Sequence, residues 1–213
     1  MLAPPRKESI TAVILAGGRG SRMGGVDKGL QHFHGVPLAQ QALLRLLPQV
    51  GNVIINANRN IAEYESFGVP VWPDDNALGE FAGPLAGMTA ALRHCTTPYL
   101  LTVPCDAPLF PLDLAARLAN AFASADVDFA VASAPQSGLP GEPCSPQPVF
   151  SLMKAAMRES LLAYTQPGGR KVSAWMLQHR VVYVPFDQAG DAANAFFNAN
   201  TLEELNTAQF LSK

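Results

Sequence analysis

A chain of 213 residues, 48% hydrophobic and 15% charged, suits one large globular domain whose core needs no disulfide or metal staple. A formal charge of −2 and a pI of about 6.1 exclude the global basic field that nucleic acid or an anionic membrane surface would require, so any bound anion must be held by a local cluster. The three cysteines, Cys95, Cys105 and Cys144, are odd in number and lack zinc-ligand spacing, which argues against a disulfide framework or structural metal and for a reducing, cytoplasmic setting.

The first nine residues, "MLAPPRKES", contain no apolar stretch and read as a flexible leader (1–9) ahead of a single domain (10–213). No apolar run approaches the roughly eighteen residues of a membrane span. From there strand-like and helix-like runs alternate. "TAVIL" is a buried strand, "LAQQALLRLL" carries Leu38, Ala42 and Leu46 on a helical stripe, and "NVIIN" is a second strand ending at Asn56. "IAEYESF" reads as a short helix, "VPVW" as a brief strand, "GPLAGMTAALRHC" as a helix with Pro84 in its first turn, and "PYLLTV" as another buried strand. "PLDLAARLANAFASA" and "DFAVAS" repeat the pattern. The alternation predicts an α/β fold with a doubly wound, mostly parallel sheet and helices on both faces. In such sheets ligands sit at the carboxyl ends of strands, which ranks the polar groups just after Leu15, Ile55 and Val103 first.

The rhythm breaks at residues 134–148, "APQSGLPGEPCSPQP", where five prolines and no helical period predict a long irregular loop. Strand and helix patterns resume in "VFSLMKAAMRESLLAYT", "VVYVPF" and "TLEELNTAQFL". Thr201, with Glu204 three residues later, forms a capping box for the last of these.

The chemistry is densest after the first strand, where five glycines between Gly17 and Gly25 are interleaved with Arg19 and Arg22 and followed by Lys28. A tight turn needs one or two glycines; this many, among cations in a net acidic chain, point to backbone N–H groups cradling phosphate. The dinucleotide fingerprint fails because Met23 stands where the third glycine belongs. The Walker A pattern fails because Gly29 follows Lys28, leaving no hydroxyl for magnesium. What remains is a triphosphate loop of another kind, with arginine forks and a lysine point charge. No Ser/His/Asp or Cys/His constellation suggests a nucleophilic side chain, and His32, His34, His94 and His179 are scattered. Trp72 and Trp175 read as packing residues.

The stretch Leu15–Gly18, Arg22–Gly25 and Asp27–Leu30, "LAGG", "RMGG" and "DKGL", resembles the signature of the molybdenum cofactor guanylyltransferase family, the MobA family of nucleotidyltransferases that join GMP to molybdopterin. The resemblance covers nearly the whole chain, through "NVIINANRN", "VWPDD…GPLAGM", "VPCDAP" and "FFNANTLEEL". It implies a Rossmann-like nucleotidyltransferase fold and a GTP site made of Leu15, Ala16, Gly17, Gly18, Arg22, Lys28, Asn56, Asp74 and Asp106. Arg22, Lys28 and Asp106 are implied as the catalytic groups, and Mg2+ is implied on Asp106. Asp75 is the alternative to Asp74, and Asn58 and Arg59 lie close by. Arg170, Lys171, Asn198 and Asn200 are implied on the molybdopterin side. The partners implied are GTP and molybdopterin, with a molybdenum-insertion protein or an acceptor molybdoenzyme for hand-over, and neither nucleic acid nor membrane.

Two departures stand out: Gln147-Pro148 replaces the His-Pro common in relatives, and Lys171 replaces the second arginine of a pair. On residue type alone Asn56 fits a strand-ending turn as well as a base contact, and Asp74 fits a solvated loop. A cytidylyl or sugar-phosphate nucleotidyltransferase of the same fold, or a silent GTP-binding regulatory module, would share much of this pattern.

Overall fold

A computed structural model of the protein describes residues 3–18, 25–75, 83–124, 126–135, 142–192, 194–199, 201 and 203–205. Arg19, Arg22 and Asn200 lie outside them. The chain opens with a 3-10 turn at Lys7–Ser9 and enters β1 (Ile10–Leu15). A small antiparallel hairpin, β2 (His32–Phe33) and β3 (Val36–Pro37), leads into α1 (Leu38–Leu46) and β4 (Asn52–Asn56). Then come α2 (Ile61–Glu65), β5 (Val71–Trp72), α3 (Pro84–His94), β6 (Tyr99–Pro104) and α4 (Leu114–Ser124). The second half holds β7 (Phe129–Pro135), β8 (Cys144–Lys154), α5 (Arg158–Thr165), α6 (Val172–Met176) and β9 (Val181–Pro185).

The main sheet has seven strands in the order β5-β4-β1-β6-β8-β7-β9. All its pairings are parallel except those of β8, which runs antiparallel to both β6 and β7. Both faces are covered, as the near-continuous apolar strands require. Alternate residues of the strands point to opposite sides. Ile10, Ala12 and Ile14 of β1 join Leu43 and Leu46 of α1 and Leu118 and Phe122 of α4 in one core, whereas Val13, with Ile54 of β4, joins Leu85 and Met88 of α3, Leu161 of α5 and Trp175 of α6 in the other. The expected doubly wound α/β architecture is therefore the observed one.

The stretch expected as a long loop is strand at both ends. β7 extends through Pro135 and β8 begins at Cys144, so only 136–143 connects them, of which 136–141 lie outside the described residues. A proline lacks the N–H that a ladder needs, and is tolerated where the ladder is interrupted. Here the register shifts between the pairs Val131↔Ser151 and Ser133↔Pro146, and Pro148 and Gln147 fall inside that irregularity. The buried Thr102 hydroxyl of β6 donates to the Val149 carbonyl at 2.7 Å, meeting a backbone acceptor there. Pro146 and Pro148, which read as loop, thus lie in a bulged strand.

Topology places the site. The chain builds outward from β1 through β4 to β5, then returns by α3 to β6 on the other side of β1. Strand order reverses at the carboxyl ends of β1 and β6, and a crevice at such a switch point is where open α/β sheets bind ligands.

Candidate functional site

Backbone ladders fix the start of the glycine loop. Ala16 N–H donates to the Asn56 carbonyl at 2.8 Å, continuing the β1–β4 pairing, while Cys105 N–H donates to the Leu15 carbonyl at 3.1 Å on the β6 side. The loop therefore leaves a rigid footing between two strands. Gly17 and Gly18 follow directly, and the chain re-enters the described residues at Gly25. A one-turn 3-10 helix, Lys28–Leu30, then presents Lys28 across the crevice.

Lys28 Nζ meets Asp106 Oδ2 at 3.0 Å, joining the loop after β1 to the turn after β6. The two side chains are 20% and 18% exposed, so the pair is sheltered and still reachable from solvent. Asp106 is held from behind as well: its carbonyl accepts from Ala199 N–H at 2.9 Å, which brings the adjacent Asn198 close to it. Cys105 is the neighbour of Asp106 on this turn. Burial and the neighbouring carboxylates of Asp106 and Asp27 push its thiol well above the ordinary range.

A second polar cluster stands at the end of β4. Asn56 is buried, and its amide donates to the Trp72 carbonyl at 3.1 Å and to Asp74 Oδ1 at 2.9 Å. Because both partners are pure acceptors, the orientation of this amide is unambiguous. Asn58 donates to Asp74 Oδ2 at 2.8 Å and to the Gly17 carbonyl at 2.9 Å, while its own oxygen accepts from Asp74 N–H at 2.8 Å. Asp74 is thus turned inward and gripped by two asparagines. Asp75 instead pairs with Arg93 of α3 at 3.3 Å on an exposed surface.

The fit around Asn56 is close. A Cβ on Gly87 of α3 would lie 2.3 Å from Asn56 Oδ1 and 2.7 Å from Leu15 Cδ2. Glycine inside a helix normally costs about 1 kcal/mol relative to alanine. Gly87→Ala is nevertheless expected to destabilise the protein by about 1–3 kcal/mol, because the pinned Asn56 cannot yield without breaking its hydrogen bonds. Equilibrium urea unfolding checks this, and a higher midpoint for the variant would refute the packing account.

Of the residues picked from sequence, Leu15, Ala16, Gly17, Gly18, Asn56 and Asp74 gather at the ends of β1 and β4, and Lys28, Asp106 and Asn198 gather at the β1–β6 reversal. Arg170 is not drawn into either group by its hydrogen bonds, which go to the Thr165 and Gly169 carbonyls of its own turn, and Lys171 is exposed beside it. The tryptophans do pack: Trp175 is fully buried edge-on to Phe129, and Trp72 stacks on His94. Sequence reasoning missed Asp27, Asn60 and Tyr64, which brace the loop. Tyr64 sat unnoticed on an apolar stripe with Ile61 and Phe67, where only its need for a buried hydrogen-bond partner signalled more.

Comparison with known proteins bears on this site. The family model described as the MobA-like NTP transferase domain matches residues 12–182. The chain belongs to this family. Among MobA-like relatives, the molybdenum cofactor guanylyltransferase of Acidovorax sp. (strain JS42) is 59% identical over 204 residues, covering 95% of this chain and 96% of that protein. The one from Methylibium petroleiphilum is 57% identical over 199 residues, covering 93% and 94%. The solved molybdopterin-guanine dinucleotide biosynthesis protein A of Archaeoglobus fulgidus superposes with a TM-score of 0.73 at 22% identity, over 95% of this chain and 98% of that one. The MobA-like fold extends further: 4-diphosphocytidyl-2C-methyl-D-erythritol synthase of Anaerococcus prevotii also reaches 0.73, at 11% identity, over 98% and 100%. The MobA-like match supports the Rossmann-like nucleotidyltransferase architecture. No helix among the described residues is long and apolar enough to cross a membrane.

Proposed function

We propose that this protein is a molybdenum cofactor guanylyltransferase: it transfers GMP from GTP to the terminal phosphate of molybdenum-bearing molybdopterin, releasing pyrophosphate. The observation that carries the proposal is the Lys28–Asp106 pair at the strand-order reversal, in a chain 59% identical to a guanylyltransferase. A phosphate oxygen of the pterin forms a bond to the α-phosphorus as the bond to the departing pyrophosphate breaks. The nucleophile is already an anion, so no general base is needed. Catalysis then rests on alignment and charge neutralisation. Lys28, with Arg22, neutralises the triphosphate, and Gly17 and Gly18 let backbone N–H groups approach it.

Magnesium fits the donor set. This ion favours one or two carboxylates, with phosphate oxygens and water completing its shell. Asp106 offers one carboxylate at the crevice, and no cluster of three or more His, Cys, Asp or Glu side chains suited to another metal occurs among the described residues. Asp106 would hold it, and the bound ion would supply positive charge to the reacting phosphates.

For base choice we assign the reading group to Asp74, with Asn56 and Asn58 setting its orientation. Each Asp74 oxygen takes one asparagine N–H and keeps acceptor capacity for the adjacent N–H donors on guanine's base-pairing edge, which adenine cannot offer. On the pterin side we assign Asn198 and Asn200, with Arg170 and Lys171 as cationic groups. The free Cys95, Cys105 and Cys144 support a cytoplasmic setting.

Incubation with molybdopterin, magnesium and each of four labelled triphosphates tests the proposal, and pyrophosphate release is expected with GTP alone. Equal release from CTP would reassign the base, and no release from any would remove the activity. In the same assay Asn56→Ala and Asp74→Asn are expected to cut the GTP-over-ATP preference by about 10- to 100-fold, the worth of a charge-assisted hydrogen bond. An unchanged ratio in both variants would place base reading elsewhere.

A further inference from the structure

The loop that carries Lys28 is gripped from one side by the connection between β4 and α2. Asp27, next to Lys28, has a side chain only 6% exposed. Its Oδ1 accepts from Tyr64 Oη at 2.6 Å and from Gly29 N–H at 3.2 Å, and its Oδ2 accepts from Asn60 Nδ2 at 2.9 Å, with Arg59 Nε at 3.5 Å. Arg59 also donates to the Gly25 carbonyl at 2.6 Å and the Val26 carbonyl at 2.9 Å, at the returning arm of the loop.

Two features mark this as more than local packing. Asn60 stands at the N-cap of α2 in a left-handed conformation, φ 51°, and is of the residue type that caps helices, yet its side chain makes no cap bond. The amide is spent on Asp27, 33 residues away. Beneath Tyr64 the fit is tight: a Cβ on Gly29 would lie 2.3 Å from the phenol oxygen, so the hydroxyl rests on the turn that follows Lys28. Burial, with Cys105 and Asp27 nearby, keeps that phenol protonated and therefore a donor.

We propose that Asp27, Arg59, Asn60 and Tyr64 form a positioning clamp that seats the Lys28 ammonium against Asp106. The clamp acts through Asp27: three side chains from one short segment fix the carboxylate, and the carboxylate fixes the Gly29 N–H and with it the turn that presents Lys28. The segment also contains Asn58, which grips Asp74 and the Gly17 carbonyl, so one connection ties the base side of the site to the triphosphate side. The catalytic consequence rests on the proposed guanylyl transfer; the seating of Lys28 does not.

Two variants test it. Tyr64→Phe removes the shortest bond to Asp27. Asn60→Gly removes another while accepting the left-handed backbone, and it serves if the first fails to fold. Reductive methylation of the nucleotide-free protein, followed by mass spectrometry, reads the reactivity of Lys28, with ion-paired Lys154 as internal reference. Release of Lys28 is expected to raise its methylation rate by about fivefold relative to Lys154, the shift that one hydrogen bond of ordinary net strength supports. With GTP and molybdopterin, kcat is expected to fall about tenfold while KM for GTP stays within about threefold, since a displaced Lys28 weakens the transition state more than ground-state binding. Lys28 reactivity at the parental rate in both variants would overturn the clamp. Failure of the parent protein to turn over GTP would strike the function alone, since the methylation readout is independent of it.

Discussion

Asp106→Asn is expected to lower GMP transfer by about a hundred- to ten-thousand-fold while leaving the protein folded. Charge stabilisation by a bound metal is worth several kcal/mol, and each 1.4 kcal/mol is a factor of about ten in rate. The substitution keeps the side chain's shape and one oxygen able to accept from Lys28, now at 3.0 Å. It removes the anionic oxygen that would hold the proposed magnesium ion. Nothing else is disturbed behind it, because the Asp106 contact to Ala199 runs through the backbone carbonyl. Measuring pyrophosphate release against magnesium concentration, alongside the thermal midpoint, separates the two contributions. A parental magnesium titration in the variant would move the metal to another residue. A collapsed midpoint would make Asp106 a structural residue.

The placement of Asp106 was legible in the sequence because a buried apolar run ending in "VPCDAP" leaves a carboxylate at a strand's carboxyl end, and topology does the rest. The same logic exposed Lys28 and the glycines. β8 was not legible. Its prolines carry the composition of a loop, and only the shifted pairing with β7, which leaves ladder positions that no N–H need fill, makes them compatible with a strand. Asn56 was legible as a polar group at a strand's carboxyl end but not in its contacts. From sequence an amide at a strand end can face a base as readily as a neighbour, and the fold spends both of its donors on Trp72 and Asp74. The clamp was hidden for a similar reason. Asp27 and Tyr64 are 37 residues apart, and each alone has an ordinary local reading, as a turn carboxylate and as an apolar-stripe aromatic. Long-range partners of buried polar atoms do not show in periodicity or composition.

Lys28→Ala is expected to lower kcat/KM by about 10- to 100-fold or more, since hydrogen bonds to charged groups contribute roughly 1.5–3 kcal/mol and in the proposed reaction this ammonium would meet a triphosphate that gains charge as pyrophosphate departs. The ion pair with Asp106 adds a second consequence of opposite sign. In the nucleotide-free protein the ammonium neutralises the carboxylate that the metal would use, and a cation arriving there meets a like charge a few ångströms away. At an effective dielectric constant of about 20, unit charges 4 Å apart interact with about 4 kcal/mol, so relief of even part of this repulsion is measurable. Lys28→Ala is therefore expected to bind a divalent cation several-fold more tightly without nucleotide while turning over more slowly. Manganese titration followed by electron paramagnetic resonance reads the first effect, and pyrophosphate release reads the second. Activity within twofold of the parent would remove Lys28 from the chemistry, whereas slower turnover with unchanged manganese affinity would mean that the cation does not compete with Lys28 for Asp106. A lysine that guards the carboxylate before nucleotide arrives and grips phosphate afterwards gives the two measurements opposed signs, and a lysine that only attracts anions does not.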